Sequence, residues 1–82
     1  MKVRVLVSFK DSVLDPQGQT VMNALHTLGY VSVRDVRQGK VFDITLGNLT
    51  REEAETLVPE LARRVLTNPI IEKFDWQFIE ET

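Results

Sequence analysis

The sequence predicts an α+β fold with the element order β-α-β-β-α-β in one domain spanning residues 1–82. Three observations lead to this fold class. Residues 2–10 and 70–80 alternate apolar and polar side chains, residues 51–66 carry apolar side chains at helical spacing, and an Asp-Pro pair opens another helical stretch. A chain of this length folds as one domain with a small core.

The first predicted strand covers residues 2–10, because one of its faces is apolar along its length. That face carries Val3, Val5, Val7 and Phe9. Polar residues occupy most of the other face, so we expect a strand that is buried on one side.

The first helix is predicted over residues 16–28. Asp15 is a preferred N-cap, and Pro16 loses no hydrogen bond at the first helical position. Gly29 supplies the left-handed residue that ends many helices. Gly18 is unexpected at the third helical position, since glycine there costs up to about 1 kcal/mol relative to alanine.

The second predicted strand covers residues 31–36. Its inward positions shift from odd, at Val31 and Val33, to even, at Val36, and this shift predicts a β-bulge near residues 34–35. A hairpin turn is predicted at Gln38-Gly39, because glycine tolerates a positive φ. The third strand then follows, with Phe42, Ile44 and Leu46 on one face.

The second helix is predicted to begin at Arg51. Thr50 and Glu53 have the spacing of a capping box, in which each side chain bonds the other residue's backbone N–H. Pro59 lies inside the apolar stripe and donates no backbone hydrogen bond, so we expect a kink or a restart there. Asn68-Pro69 ends the helix, and the last strand places Phe74, Trp76 and Phe78 on its core face.

Two βαβ-like halves predict a ferredoxin-like sandwich, an antiparallel sheet with both helices on one face. The other sheet face is then open and of mixed polarity. We expect subunits to pair through this face or through the last strand, because a small core without cysteines commonly gains stability by association. The face is predicted to contain Leu6, Val41, Thr45, Ile71 and Ile79 among Arg4, Arg34, Asp43 and Lys73.

Composition argues against several classes of function. The net charge of −2 and the pI of about 5.3 do not favour a nucleic-acid binder, which usually presents a basic face. No segment approaches the roughly 18 apolar residues of a membrane span. The N-terminus lacks the pattern of a signal peptide, and the absence of cysteine suits a reducing cytoplasm.

The residue pattern offers no catalytic or metal site. His26 has neither a cysteine nor a second histidine to work with, so we interpret it as a helix-surface residue. Asp11 and Asp15 lack the spacing of a calcium loop, and capping already explains Asp15. The four glycines, at positions 18, 29, 39 and 47, do not form a phosphate-binding loop.

Three segments resemble the PurS family, the small subunit of phosphoribosylformylglycinamidine (FGAM) synthase. They are VLDPQGQTVMNALHTLGY, VRDVRQGKVFDITL and LTNPIIEKF, in the family's order and spacing. The similarity covers nearly the whole chain. The combination of D-P-Q-G, L-G-Y, V-R-x-G-K and N-P-x-I-E is far more specific than any one of these motifs.

The resemblance implies a non-catalytic role in an ATP-dependent C–N ligase of purine biosynthesis in the cytoplasm. In that complex the glutaminase subunit, PurQ, releases ammonia, and the large synthetase subunit, PurL, uses ATP and Mg to activate formylglycinamide ribonucleotide. The small subunit is expected to bind no cofactor. As a homodimer or homotetramer, it would bridge the two enzymes so that ammonia passes between them.

The resemblance also selects candidate residues for structure or subunit contact. At Gly18, the missing side chain would admit the backbone of a neighbouring chain or of the chain's own strand. Pro59 departs from the family pattern. The candidates are Asp15, Pro16, Gln17, Gly18, Arg37, Gly39, Lys40, Asn68, Pro69 and Glu72.

Two alternatives share the predicted element order. An ACT-type regulatory module binds amino acids at subunit interfaces, and fold alone does not exclude it. An RNA-binding module needs aromatic residues on its central strands, where this chain offers Phe9 and Phe42. The specific motifs argue against both alternatives.

Overall fold

A computed structural model describes residues 1–79 of the chain. Strand β1 covers Lys2–Phe9, helix α1 covers Pro16–Thr27, and strand β2 covers Lys40–Thr45. Helix α2 covers Arg51–Leu61 and continues into a π-helical turn, Ala62–Leu66; strand β3 covers Glu72–Ile79. In this part of the chain, neither α-helix is long and apolar enough to cross a membrane.

The sheet is antiparallel, with β1 between β2 and β3. In the register, Val5 lies opposite both Phe42 and Trp76. Because side chains alternate between the faces of a strand, these three residues share one face of the sheet. The predicted inward faces of the first and last strands are therefore confirmed.

The core lies between this sheet face and α2. Three valines of the central strand are buried against two small residues of the helix, Val58 and Ala62. Apolar side chains of the two outer strands are half-buried around this centre. The three valines are Val3, Val5 and Val7, and the half-buried side chains of the outer strands are Phe42, Ile44, Phe74, Trp76 and Phe78.

Helix α2 begins as predicted and does not end at Pro59. The Thr50 hydroxyl accepts the Glu53 N–H at 3.1 Å, and the Glu53 carboxylate accepts the Thr50 N–H at 3.3 Å. Beyond Pro59 the helix stays continuous and widens at residues 62–66, where the Thr67 N–H donates to the Ala62 carbonyl. The missing N–H of Pro59 is thus followed by a change of helical pitch rather than by a restart.

The predicted second strand, residues 31–36, is wrong. This segment forms no strand and packs along α1: Val33 and Val36 are half-buried, and the Val33 carbonyl hydrogen-bonds Nε2 of His26 at 2.7 Å. The spacing of the valines, which was interpreted as a β-bulge, instead reflects an irregular segment that lies along α1 with Val33 and Val36 half-buried. His26 is consequently half-buried and bonded rather than a free surface residue.

The hairpin prediction at Gln38-Gly39 is wrong for the same reason, since one of its two strands is absent. Gly39 has no positive φ; Gly29, at the end of α1, has a φ of 97°. Glycine at position 39 therefore serves a purpose other than a left-handed turn.

Helix α1 stands away from the sheet. The Cα radius of gyration is 16.1 Å, and the molecule measures 50 × 33 × 14 Å; a compact domain of this length has a radius of about 12 Å. Helix α2 packs on the sheet, whereas α1 packs on the segment that follows it. The α+β class with ferredoxin-like elements is confirmed, but the prediction of two helices on one face does not hold within one chain.

Candidate functional site

Three of the four motifs identified in the sequence meet at one place, which we call the junction; the fourth, L-G-Y, lies at the other end of α1. The junction comprises residues 15–18 at the start of α1, residues 36–40 leading into β2, and residues 68–72 leading into β3. These segments are distant in sequence. The sheet brings them together because the start of β2 and the start of β3 both lie beside the end of β1.

Asp15 is the centre of the junction and is 5% exposed. One carboxylate oxygen accepts the Gly18 N–H at 2.9 Å, which caps α1, and the other accepts the Gln38 N–H at 2.6 Å. These amide hydrogen bonds, with that of Gly18 contributing most, hold the pKa of Asp15 below its ordinary value although desolvation opposes the shift. A single ionised side chain thus fixes the helix start to the segment before β2.

At two positions of the junction, a main-chain carbonyl oxygen approaches so closely that only glycine fits. A Cβ at Gly18 would overlap the Val36 carbonyl oxygen and lie 2.7 Å from an Asp15 carboxylate oxygen. A Cβ at Gly39 would overlap the Val7 carbonyl oxygen. The approaching backbone at Gly18 therefore comes from the chain itself, which accounts for the glycine without a second subunit.

Two more side chains tie the segment before β2 to the start of α1. The Gln38 side-chain amide donates to the Gln17 side-chain oxygen at 2.7 Å. The Arg37 guanidinium donates to the Val13 carbonyl at 2.9 Å and to the Asp11 carbonyl at 3.2 Å. Pro16 occupies the first turn of the helix, as predicted.

Glu72 organises the third segment. Its side chain is only 10% exposed; one oxygen accepts the Asn68 N–H at 2.7 Å and the other lies 3.4 Å from Nζ of Lys40. The Asn68 side chain accepts the Ile70 N–H at 3.2 Å, which closes a turn around the exposed Pro69. Lys40 and Glu72 therefore connect the start of β2 to the start of β3.

A cleft of ≈ 90 Å³ lies at the centre of the junction. Pockets that hold drug-sized ligands are typically 300–1,000 Å³, so this cleft lies well below that range. In its lining Gln17 bonds Gln38 and Lys40 pairs with Glu72, and the described residues contain no cluster of three potential metal ligands. The arrangement suits a rigid structural joint with an exposed polar rim rather than a catalytic centre.

The sequence reasoning nominated most of the junction but missed two of its parts. Gln38 was not selected, although it lies within the V-R-x-G-K motif and bonds both Asp15 and Gln17. The backbone carbonyls of Val36 and Val7 were also missed, because main-chain atoms leave no residue-type signal. The two unexplained glycines, Gly18 and Gly39, were the available signals for those carbonyls.

The sheet face opposite α2 is open within the chain, as predicted. Leu6 and Val41 are 40% and 58% exposed, and a bidentate pair joins Arg4 to Asp43 at 2.8 and 3.2 Å. The Arg4 guanidinium lowers the pKa of Asp43. Arg34 is not part of this face, because residues 31–36 do not join the sheet.

Comparisons with known proteins agree with the resemblance that the motifs indicate. The family model PurS, described as phosphoribosylformylglycinamidine (FGAM) synthase, matches residues 2–80. The synthase subunit PurS of Bacillus subtilis is 44% identical over 98% of this chain and 93% of its own length. That of Archaeoglobus fulgidus is 39% identical over 85% of this chain and 88% of its own length.

Solved structures show the same fold. A crystal form of B. subtilis PurS aligns with a TM-score of 0.83 at 43% identity, covering 93% of this chain and 94% of that one. A structure of PurLQS from Thermotoga maritima contains a chain that aligns with a TM-score of 0.83 at 25% identity, covering 93% of each chain. The sequence motifs, the full-length match and the shared architecture together place this chain in the PurS family.

Proposed function

We propose that this chain is the small, non-catalytic subunit of FGAM synthase in cytoplasmic purine biosynthesis. The observation that carries the proposal is the junction: the family's motif residues form a bonded joint around a cleft of only ≈ 90 Å³. Its relatives are named as subunits of that synthase, and one homologous chain belongs to a PurLQS structure. A joint of this kind serves assembly rather than chemistry.

In this proposal the chain associates with itself and bridges the glutaminase PurQ to the synthetase PurL. ATP and Mg are bound by PurL, and this chain binds no cofactor. Ammonia released from glutamine then passes between the enzymes without loss to bulk water. The exposed polar rim of the junction, including Lys40, which is 60% exposed, supplies groups for subunit contact.

The regulatory alternative, an ACT-type module that binds amino acids, receives less support. A ligand bound at the junction would need a cavity several times larger than the ≈ 90 Å³ cleft there. Gln17 and Gln38, in its lining, bond each other. A thermal-shift screen with amino acids tests this alternative directly, since a ligand that binds the folded state raises its stability.

Reconstitution of amidine synthesis from purified PurL and PurQ, with and without this chain, tests the proposal. We expect omission of the chain to abolish glutamine-dependent turnover while ammonia-dependent turnover by PurL persists. Glutamine-dependent turnover that is unchanged on omission would contradict the bridging role. All reactions contain ATP, Mg and glutamine, so that a complex that depends on its ligands is allowed to form.

A pair of variants separates the junction from the rest of the sheet. Lys40→Gln removes a charge from the junction rim, whereas Lys2→Gln removes one from the far end of the sheet. We expect Lys40→Gln to raise the concentration of chain needed for half-maximal glutamine-dependent turnover at least threefold and Lys2→Gln to leave it unchanged. Equal effects would mean that the junction has no special part in assembly.

A further inference from the structure

Two loops at the junction end of the sheet expose large apolar side chains. Leu14, in the loop after β1, is 72% exposed, and Ile70, in the turn before β3, is 80% exposed. The loops lie side by side, because the Lys10 N–H donates to the Ile71 carbonyl at 2.9 Å. We call these two loops, residues 10–14 and 69–71, the loop patch.

A single exposed isoleucine is common on protein surfaces, but Ile70 lies in a closely bonded turn. The Ile70 N–H donates to the Asn68 side chain at 3.2 Å. The Asn68 carbonyl accepts the N–H of Ile71 at 3.1 Å and that of Glu72 at 2.8 Å, and the Glu72 carboxylate accepts the N–H of Asn68 at 2.7 Å. These bonds order the turn without burying its isoleucine, so a partner that binds here pays little to order the main chain.

The loop after β1 is ordered in the same way. The Val13 N–H donates to the Lys10 carbonyl at 2.9 Å, and the Arg37 guanidinium donates to the carbonyls of Asp11 and Val13. Leu14 follows this bonded loop directly and leaves its side chain exposed. The loop patch therefore presents two apolar side chains from main chain that is already held in place.

Positive charge surrounds the loop patch. Four cations and four carboxylates lie in the segments that form and flank it: Lys10, Arg37, Lys40 and Lys73, and Asp11, Asp15, Asp35 and Glu72. Asp15 and Glu72 are nearly buried in the junction, so four exposed cations accompany only two exposed carboxylates. Lys10 forms no ion pair with any of residues 1–79. The exposed groups here are mainly cationic, although the net charge of the chain is −2.

An apolar centre inside a charged rim is typical of a protein–protein contact. Because the rim of the loop patch is mainly positive, the complementary surface carries carboxylates, which also speed the encounter of the two proteins. Two copies of the loop patch facing each other across a two-fold axis would place like charges opposite each other. A nucleic acid would meet aliphatic side chains, which offer its bases no stacking surface. The occupant that fits is therefore an acidic surface of a different protein.

We propose that the loop patch is the contact surface for an acidic face of one of the two enzymes that the chain joins. Leu14 and Ile70 enter an apolar depression of that face, and Lys10, Lys40 and Lys73 approach carboxylates at its edge. An ammonium group has three N–H donors, so Lys40 and Lys73 keep donors available beside their own ion pairs. This inference rests on the proposed function and adds to it the place and the chemistry of one contact.

A pair of serine variants tests the apolar part of the contact. Ile70→Ser removes an exposed side chain from the loop patch, and Val31→Ser is the matched control, at a side chain that is 77% exposed and outside the sheet. The measurement is the concentration of chain that gives half-maximal glutamine-dependent turnover with PurL, PurQ, ATP, Mg and glutamine. We expect Ile70→Ser to raise it at least tenfold and Val31→Ser to leave it within twofold. Equal values for the two variants would overturn the proposal.

Charge reversal tests the acidic character of the partner. Lys10→Glu changes the sign of an exposed charge in the loop patch, whereas Arg63→Glu does so at an exposed position after α2. At low salt we expect Lys10→Glu to raise the half-maximal concentration at least fivefold and Arg63→Glu to leave it within twofold. The difference should shrink at roughly 0.5 M salt, where charges are screened over a few ångströms. Equal effects of the two reversals at low salt would overturn the acidic partner.

The same assay separates this proposal from the proposed function. If omission of the chain abolishes glutamine-dependent turnover while Ile70→Ser behaves as the unmodified chain, the bridging role stands and the loop patch is overturned. If turnover persists without the chain, the proposed function is contradicted, and the partner enzyme with it. Sedimentation of Ile70→Ser should show the same self-association as the unmodified chain. A weaker self-association would assign the loop patch to contact between copies and overturn the proposal.

Discussion

The carboxylate of Asp15 accepts the backbone N–H of Gln38 at 2.6 Å, across 23 positions of the sequence. The same carboxylate caps α1 through Gly18. Asp15 therefore both caps α1 and positions the segment leading into β2.

Replacing Gly18 with alanine should destabilise the subunit by about 1–3 kcal/mol, the range for an added methyl group in a tightly packed site. The new Cβ would overlap the Val36 carbonyl oxygen, which is main chain and cannot rotate away. Gly47→Ala is the matched control, since a Cβ there has open space around it. Denaturant unfolding measures both variants, and equal stabilities would contradict the close approach.

Asp15→Asn should lower the stability at neutral pH. An asparagine side chain has one acceptor oxygen where the carboxylate has two, so either the Gln38 N–H or the Gly18 N–H would face an NH₂ group instead of an acceptor. The folded-state pKa of Asp15 lies below its ordinary value of 3.8, so the ionised form stabilises the fold. That contribution is complete well above pH 3.8 and is lost as the pH falls through this value toward the lowered folded-state pKa.

We therefore expect the stability difference between the unmodified chain and Asp15→Asn to be large at pH 7 and to shrink below about pH 4. Denaturant unfolding at a series of pH values measures it. Glu55→Gln, at an exposed carboxylate on α2 away from the junction, controls for the loss of one negative charge. A difference that stays constant down to pH 2 would contradict the role of the ionised carboxylate.

Thr50→Ala should destabilise α2 by about 1 kcal/mol, since it removes the side chain that accepts the Glu53 N–H. Thr56→Ala in the same helix is the control: its hydroxyl makes only a 3.5 Å contact with a main-chain carbonyl. Thermal unfolding should show a lower Tm for Thr50→Ala. For Thr56→Ala the free energy of unfolding should change by no more than about 0.5 kcal/mol. The reverse order would mean that the capping box contributes little.

Val58→Ala should destabilise the chain by about 2 kcal/mol, because Val58 is fully buried against the central strand and its removal leaves a cavity. Val31→Ala is the control, at a side chain that is 77% exposed and outside the sheet. Chemical denaturation followed by the fluorescence of Trp76, the single tryptophan, measures both changes. Similar losses would indicate that the core does not centre on Val58.

Local signals predicted most elements but could not place them. The alternation in β1, the Asp15-Pro16 start and the Thr50–Glu53 box each report on a few neighbouring residues, and each is confirmed. The valines of residues 31–36 carry the same kind of signal, yet they pack along α1. An apolar stripe shows that a surface is to be covered and does not show which element covers it.

The junction illustrates the same limit. The motifs identified its residues, but only the fold shows that Asp15, Gly39 and Glu72 lie in one place and that Gly39 is needed beside the Val7 carbonyl. Long-range main-chain contacts leave no trace in local sequence. Whether the junction residues contact another subunit stays a prediction.

Because α1 contacts the rest of the chain mainly at its first turn and along residues 31–36, the junction sets the direction of the helix. The helix is about 18 Å long, so a rotation of 10° at its base would displace its far end by about 3 Å, more than half a helical turn. A substitution at Asp15 or Gly18 can thus displace the far end of α1, near Leu28, although it changes no residue there. The backbone geometry at residues 15–18 then decides where the far end of α1 lies relative to the sheet.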